Sequence, residues 1–261
     1  MKKLIYLALV SLILISCSEY QRVLQSTDYK FKYQKAKEYY NAKEYVKANT
    51  LFQELMPLFR GTKEAPTLNY YYAYSLYKNE DYEMAIHYFT NFLRNYPDNN
   101  LAEECSFVRS ICFLELSPNV RLDQSYSQRA IEAFNIFISR YPQSNRIAQA
   151  NKYIDQMREK LIEKSFLSAK QYFKREKFKA AIIALQNSLK DYPTSKFREE
   201  IKYMVLKSRY ELAINSIQEK KKDRLISAQE ECIVFADEFP KSKYLSETNK
   251  MKASIAKLLK N

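Results

Sequence analysis

A single glycine, Gly61, stands in 261 residues, and there is no tryptophan and only one histidine, His87. One glycine rules out every motif that needs two or more of them: dinucleotide-binding turns, phosphate-cradling loops and glycine-rich hairpins. Asn-Gly and Asp-Gly dipeptides are also missing, so the usual hairpin turns of a β protein are absent. With one histidine, a histidine-based metal site or a Cys-His catalytic pair has little to draw on. Cysteine is sparse too: Cys17, Cys105, Cys112 and Cys232. Cys105 and Cys112 are seven residues apart on one expected helix, roughly 10 Å at 1.5 Å per residue, which is too far for a disulfide. They read as buried thiols. Adjacent carboxylates such as Glu103-Glu104 point apart on a helix and form no acid/base pair. His87 reads as an exposed helix residue. The chain is expected to be no enzyme and to need no cofactor and no metal.

Long apolar runs are missing except at the start. Met1-Lys2-Lys3 is followed by Leu4 to Ile15, apolar but for Ser11. That run is shorter than the about 20 residues a spanning helix needs, so residues 1–16 read as a secretory signal peptide. It ends Leu14-Ile15-Ser16-Cys17, which resembles the bacterial lipoprotein cleavage motif. The resemblance implies lipidation of Cys17, and Ser18 in place of an aspartate favours the outer membrane. Several acyl chains would hold the protein firmly, since each buried methylene contributes about 0.8 kcal/mol. Residues 17–29 are expected to be the lipidated cysteine and a tether. Acidic residues are in deficit, 30 against 43 lysines and arginines, a formal charge of +13. Export argues against nucleic acid, and the lysines are spread rather than gathered in one stripe. Anionic headgroups or acidic protein surfaces are the expected counterparts.

What the chain does have is a ladder. Four boxes end in the same way: Tyr96-Pro97-Asp98-Asn99, Tyr141-Pro142-Gln143-Ser144, Tyr192-Pro193-Thr194-Ser195 and Phe239-Pro240-Lys241-Ser242. Twelve residues before each proline is an alanine: Ala85, Ala130, Ala181, Ala228. Four and seven residues past it come Phe89 and Phe92, Phe134 and Phe137, Leu185 and Ser188, Cys232 and Phe235. These offsets trace one face of an α-helix, and proline then stops it. Ala48-Phe52-Leu55-Phe59 is a fifth copy whose proline, Pro57, comes early. Small residues precede three of the ladder alanines by twelve, Ala36, Ala73 and Ala169, and aromatics precede them by three, Tyr45, Tyr82 and Phe178.

The pattern resembles the tetratricopeptide repeat, which pairs small residues on two helices with an aromatic between them and a closing proline. It implies an all-α right-handed superhelix of about five helix pairs with a C-terminal capping helix. The expected division is repeats one to three over residues 30–144, and repeats four and five with the cap over 145–261. Repeat one is expected at Phe31–Ala42 and Glu44–Phe59. Residues Ile147–Lys164 extend repeat four's first helix, Glu219–Arg224 form a charged loop, and Tyr244–Leu259 cap the stack. In the repeat family the first helices line the ligand groove. Transferred in register, that surface takes Tyr33, Lys37, Tyr40 and Asn41 from repeat one, and Tyr70, Tyr74, Tyr77 and Lys78 from repeat two. Repeat four contributes Phe166, Lys170, Phe173 and Lys174. Tyrosines beside lysines suit a peptide: rigid apolar area, a hydroxyl tip and a cation for a carboxylate.

Signal, repeats, aromatic-proline boxes, the insert before Ala130 and the stretch Gln171 to Ala181 together resemble the BamD family, lipoproteins of the β-barrel assembly machine. The resemblance implies an outer-membrane, periplasm-facing scaffold. Its C-terminal repeats would bind the barrel-forming BamA subunit, and its N-terminal repeats the terminal signal of unfolded barrel substrates. A different periplasmic repeat adaptor, for the cell wall or division, is the other reading.

Overall fold

The structure, a computed structural model, describes residues 19–260. The expected signal peptide and Cys17 lie outside them. Among the described residues there are twelve helices and no strand. Helix α1 covers 19–25. Then come α2 (Tyr29–Asn41), α3 (Tyr45–Leu55), α4 (Ala65–Lys78), α5 (Tyr82–Asn95), α6 (Ala102–Glu115) and α7 (Ser125–Arg140). They are followed by α8 (Ile147–Lys174), α9 (Phe178–Asp191), α10 (Arg198–Ile214), α11 (Gln218–Glu238) and α12 (Leu245–Leu258). The pairs α2–α3, α4–α5, α6–α7 and α10–α11 each pack together, and α12 packs on α11. This is the all-α helix-pair organisation that the ladder predicts.

The ladder is the core. Ala48, Ala85, Ala130, Ala181 and Ala228 are all fully buried, as are their small partners Ala36 and Ala73. A methyl group at each crossing lets two backbones approach; a larger side chain there would overpack the crossing at about 1–3 kcal/mol. Phe52, Phe89, Phe92, Phe134, Phe137 and Phe235 are the largest fully buried side chains.

Each box ends one helix and starts the next. The aromatic amide closes the last turn, for example Tyr96 N–H to Phe92 O at 2.8 Å and Phe239 N–H to Phe235 O at 2.9 Å. Its ring rests on the residue one turn back, Tyr96 on Phe92 at 5.3 Å, Tyr141 on Phe137 at 5.6 Å and Phe239 on Phe235 at 5.2 Å. The last residue of the box then accepts from the backbone two residues on: Asn99 Oδ1 from Leu101, Ser144 Oγ from Arg146, Ser195 Oγ from Phe197 and Ser242 Oγ from Tyr244, at 2.9–3.1 Å. Ser, Asn and Asp favour such local bonds, which satisfy amide donors that a helix start leaves free.

Turns inside the pairs solve a problem set by the lack of glycine. Lys43, Glu80 and Glu176 take left-handed φ values of 64°, 62° and 56°. Around each, the next amide reaches back five residues: Glu44 to Tyr39 O, Asp81 to Leu76 O and Lys177 to Tyr172 O, at 2.8–3.0 Å. This is the Schellman closure that normally recruits glycine. Gly61, at φ 78° and with open space where a Cβ would stand, serves the longer turn before α4.

Three expectations change. The tether is not free along its length: α1 docks, with Val23 fully buried and Tyr20 edge-on to Tyr39 at 5.6 Å. Lys32 Nζ holds it by donating to Leu24 O at 2.8 Å while pairing with Glu54 at 2.8 Å. The segment Glu219–Arg224 is helix, not loop, because its Lys, Glu and Arg are good helix formers and the turn is confined to the residues before Gln218. Helix α3 ends at Leu55 rather than Phe59, since Pro57 has no N–H to continue the ladder, although Met56 before it keeps helical φ and ψ of -51° and -48°. The extension of repeat four is a single 28-residue helix, α8.

The described residues divide into two compact units, 19–118 with Gln124–Met157, and Asn119–Asp123 with 158–260. The border between the units falls inside α8, because Ala150 and Ile154 are buried with Phe107, Phe134 and Phe137 of the first unit. The second unit has its own core around Phe166, Ala181, Leu185, Leu206, Ala228 and Phe235.

Candidate peptide-binding surface

Tyr70, Tyr74 and Tyr77 recur one and two turns apart on α4, so they share a face. They form a chain of ring contacts with neighbouring helices. Tyr70 meets Tyr74 at 5.4 Å, Tyr74 meets Tyr77 at 5.5 Å and Tyr77 meets Tyr82 at 6.1 Å. From α2, Tyr40 closes on Tyr71 at 4.8 Å, Tyr45 at 5.6 Å and Tyr74 at 6.3 Å. Lys78 Nζ lies over two of the rings, 5.3 Å from Tyr74 and 5.1 Å from Tyr77. Beyond Tyr74 stand Glu104 and Arg146, paired with one another, and Arg146 also covers Phe107 at 4.8 Å. Such a face supplies rigid area, hydroxyls and a cation poised above aromatic rings.

Burial shapes its electrostatics. Loss of water pushes the Tyr77 phenol up to about 12, with smaller contributions from Tyr74 and Cys112. Burial likewise raises Tyr40, Tyr70 and Tyr74, and Glu104 adds to it in each case. Arg146 opposes the rise at Tyr74. The surface therefore stays neutral at the phenols and offers hydrogen-bond donors at ordinary pH.

Tyr33 and Lys37 belong to a neighbouring feature. They line a cavity of about 730 Å³ with Tyr29, Lys30, Phe59 and Lys63. Tyr33 is mostly buried against Phe59 at 5.3 Å, and Lys37 Nζ covers its ring at 4.8 Å. Asn41 is exposed at the end of α2. Repeat four departs from the expectation: Phe166 is buried and stacks on Phe197 at 4.3 Å, so it packs between helices rather than facing a groove. Lys170 pairs with Glu200 at 2.5 Å, and Phe173 leans on Phe178 at 6.5 Å. Register alone missed Tyr71, Glu104 and Arg146. Tyr71 follows Tyr70 directly and falls outside the transferred positions, while Arg146 arrives from the turn just before α8.

The remaining chemistry-bearing residues are quiet. Burial pushes the Cys112 thiol up to about 12 and Cys232 up to about 11, so both stay protonated. His87 is exposed and sits 2.9 Å from Asn91 through Nε2. No cluster of three or more potential metal ligands occurs among the described residues.

Paired helices joined by buried alanine crossings and aromatic-proline caps define a helical-repeat protein of the tetratricopeptide type. More narrowly, the family described as YfiO, outer membrane lipoprotein, matches residues 25–225, and this chain belongs to it. Its relatives include proteins named outer membrane protein assembly factor BamD. The Neisseria meningitidis serogroup B protein is 23% identical over 95% of this chain and 95% of its own length. The Caulobacter vibrioides and Rickettsia prowazekii proteins are each 24% identical, over 54% and 64% of this chain. The match spans 47% of the Caulobacter protein and 66% of the Rickettsia one. A solved tetratricopeptide-repeat protein of Bacteroides fragilis aligns with 89% of this chain and 100% of its own at 15% identity, with a TM-score of 0.41. Among the described residues no helix is long and apolar enough to cross a membrane.

Proposed function

We propose that this protein is a lipid-anchored scaffold of outer-membrane β-barrel assembly that works by binding rather than by chemistry. Membership of an outer membrane lipoprotein family, and relatives named for outer membrane protein assembly, support the setting. Cys17 carries the lipid in this reading. The first unit receives unfolded barrel segments and the second docks on the barrel-forming subunit.

The observation that carries the substrate assignment is Lys78 held over Tyr74 and Tyr77 at the end of a tyrosine row. A peptide ending in an aromatic residue and a free carboxylate matches it: the ring packs among the tyrosines and the carboxylate meets the ammonium. Removing Tyr77 and Lys78 together, Tyr77→Ala with Lys78→Ala, is expected to weaken such a peptide about tenfold or more while leaving helicity unchanged, as loss of an interface anchor does. The same peptide with an amidated terminus should bind wild type as weakly as the free acid binds the double variant. Equal affinity of wild type and variant in a titration would reject the assignment.

A further inference from the structure

Charge is divided very unevenly. The second unit has 25 lysines and arginines against 15 acids, a net +10, whereas the described part of the first has 16 against 15. Within the second unit a cleft of about 420 Å³ gathers part of that excess. One face of α8 makes its floor: Lys164, Leu167, Ser168, Lys170, Gln171 and Lys174, at helical spacing. The loop residue Arg121 makes its wall. Four cations and two neutral hydrogen-bonding side chains thus share one cleft with a single apolar residue, and no carboxylate lines it.

Two of the cations are held in place without being used up. Lys164 Nζ donates to the carbonyl of Arg121 at 2.7 Å, which ties the loop to the helix and leaves two ammonium hydrogens. Lys170 Nζ pairs with Glu200 at 2.5 Å and lies 5.0 Å over the Phe166 ring, again with donors to spare. Preorganised donors avoid part of the ordering cost of binding.

We propose that this cleft is a binding site for a phosphate-bearing ligand of headgroup size. The volume falls in the range of small-ligand pockets, roughly 300–1,000 Å³. An oxyanion with three or four oxygens uses the mixture present: the ammonium groups as point charges, the Arg121 guanidinium as a fork, and Ser168 and Gln171 as neutral donors between them. A long acidic peptide is the poorer match, because the cations surround a cleft rather than follow an extended track.

The full chain is titrated with inorganic phosphate and with pyrophosphate, by calorimetry and by amide chemical shifts. Pyrophosphate is expected to saturate and to shift the amides of residues 164–174. Arg121→Gln with Lys174→Gln, two exposed changes outside the cores, should weaken it about tenfold or more, the effect of two lost charge-assisted contacts. Lys179→Gln with Lys190→Gln removes the same charge elsewhere and should leave affinity within about twofold, since bulk charge alone then acts. Sedimentation with phosphatidylglycerol vesicles, against phosphatidylcholine, identifies the source. Parallel loss of vesicle binding in Arg121→Gln with Lys174→Gln assigns the site to a lipid headgroup; unchanged vesicle binding with lost pyrophosphate binding assigns it to a free phosphorylated solute. No saturation by pyrophosphate, equal weakening by both charge pairs, or binding of a hexaglutamate peptide in place of phosphate overturns the proposal.

Discussion

The two units use one construction and present two surfaces. Seventeen of the 22 tyrosines among the described residues fall in the first unit, which is nearly neutral; the second holds five and nearly all the excess positive charge. In the first unit, Tyr40, Tyr70, Tyr72, Tyr74 and Tyr77 pack ring to ring and lose water. In the second, neighbouring helices are tied by ion pairs such as Lys170 with Glu200, Arg198 with Glu238 and Lys207 with Glu247. The alanine ladder is common to both, so the difference lies in positions that the repeat leaves unconstrained. A helix-pair scaffold needs only its crossings; the faces beside them are free to become aromatic in one place and basic in another.

The largest test of this contrast is alkali. Buried phenols in the first unit have pKa values raised above the ordinary 10, so the folded state holds protons that the unfolded state releases. That stabilisation is complete below pH 10 and disappears as pH rises toward and past about 12, the value for Tyr77. The phenolate signals of Tyr40, Tyr70, Tyr72, Tyr74 and Tyr77 should therefore appear late, together with loss of helical ellipticity, and hydrogen exchange should open the first unit ahead of the second. Early titration of those five with the helices intact would erase the distinction.

A smaller effect concerns the docked start of the first unit. Lys32→Ala removes the bond to Leu24 O and the partner of Glu54, and should cost about 1–3 kcal/mol in denaturant unfolding. Amides of residues 19–25 should lose protection while those of the second unit keep theirs. The smallest effect is a gain shared by both units. Lys43→Gly, Glu80→Gly and Glu176→Gly relieve left-handed backbone and should each stabilise by up to about 1 kcal/mol, offset in part by glycine's looser unfolded chain. Equal gains at 80 and 176 would show that the turn is the same device in both units.

Much of this was readable in advance where a rule is local and periodic. Ala85, Phe89 and Phe92 announce a buried face because their spacing matches a helix turn, and the proline boxes announce its end. Placement of Tyr40 against Tyr71, or of Arg146 beside Glu104, could not be read, because those contacts join residues 31 and 42 positions apart in different parts of the repeat array. Phe166 shows the same limit from the other side. Its register matches the groove positions, yet the ring of Phe197 covers it. Docking of α1 leaves no signal in the sequence because a seven-residue helix has too few turns to show a period, and only the pocket that receives Val23 gives it meaning.

The amino-acid order by itself determined the all-α class, the repeated helix pairs and the alanines at their crossings, since these depend on side chains within a turn or two of one another and on one recurring volume constraint, a methyl group between backbones. Tertiary structure alone decided which tyrosines lose water, which lysines keep free donors and where the chain divides into two units, because each of those depends on the solvent that a distant helix displaces.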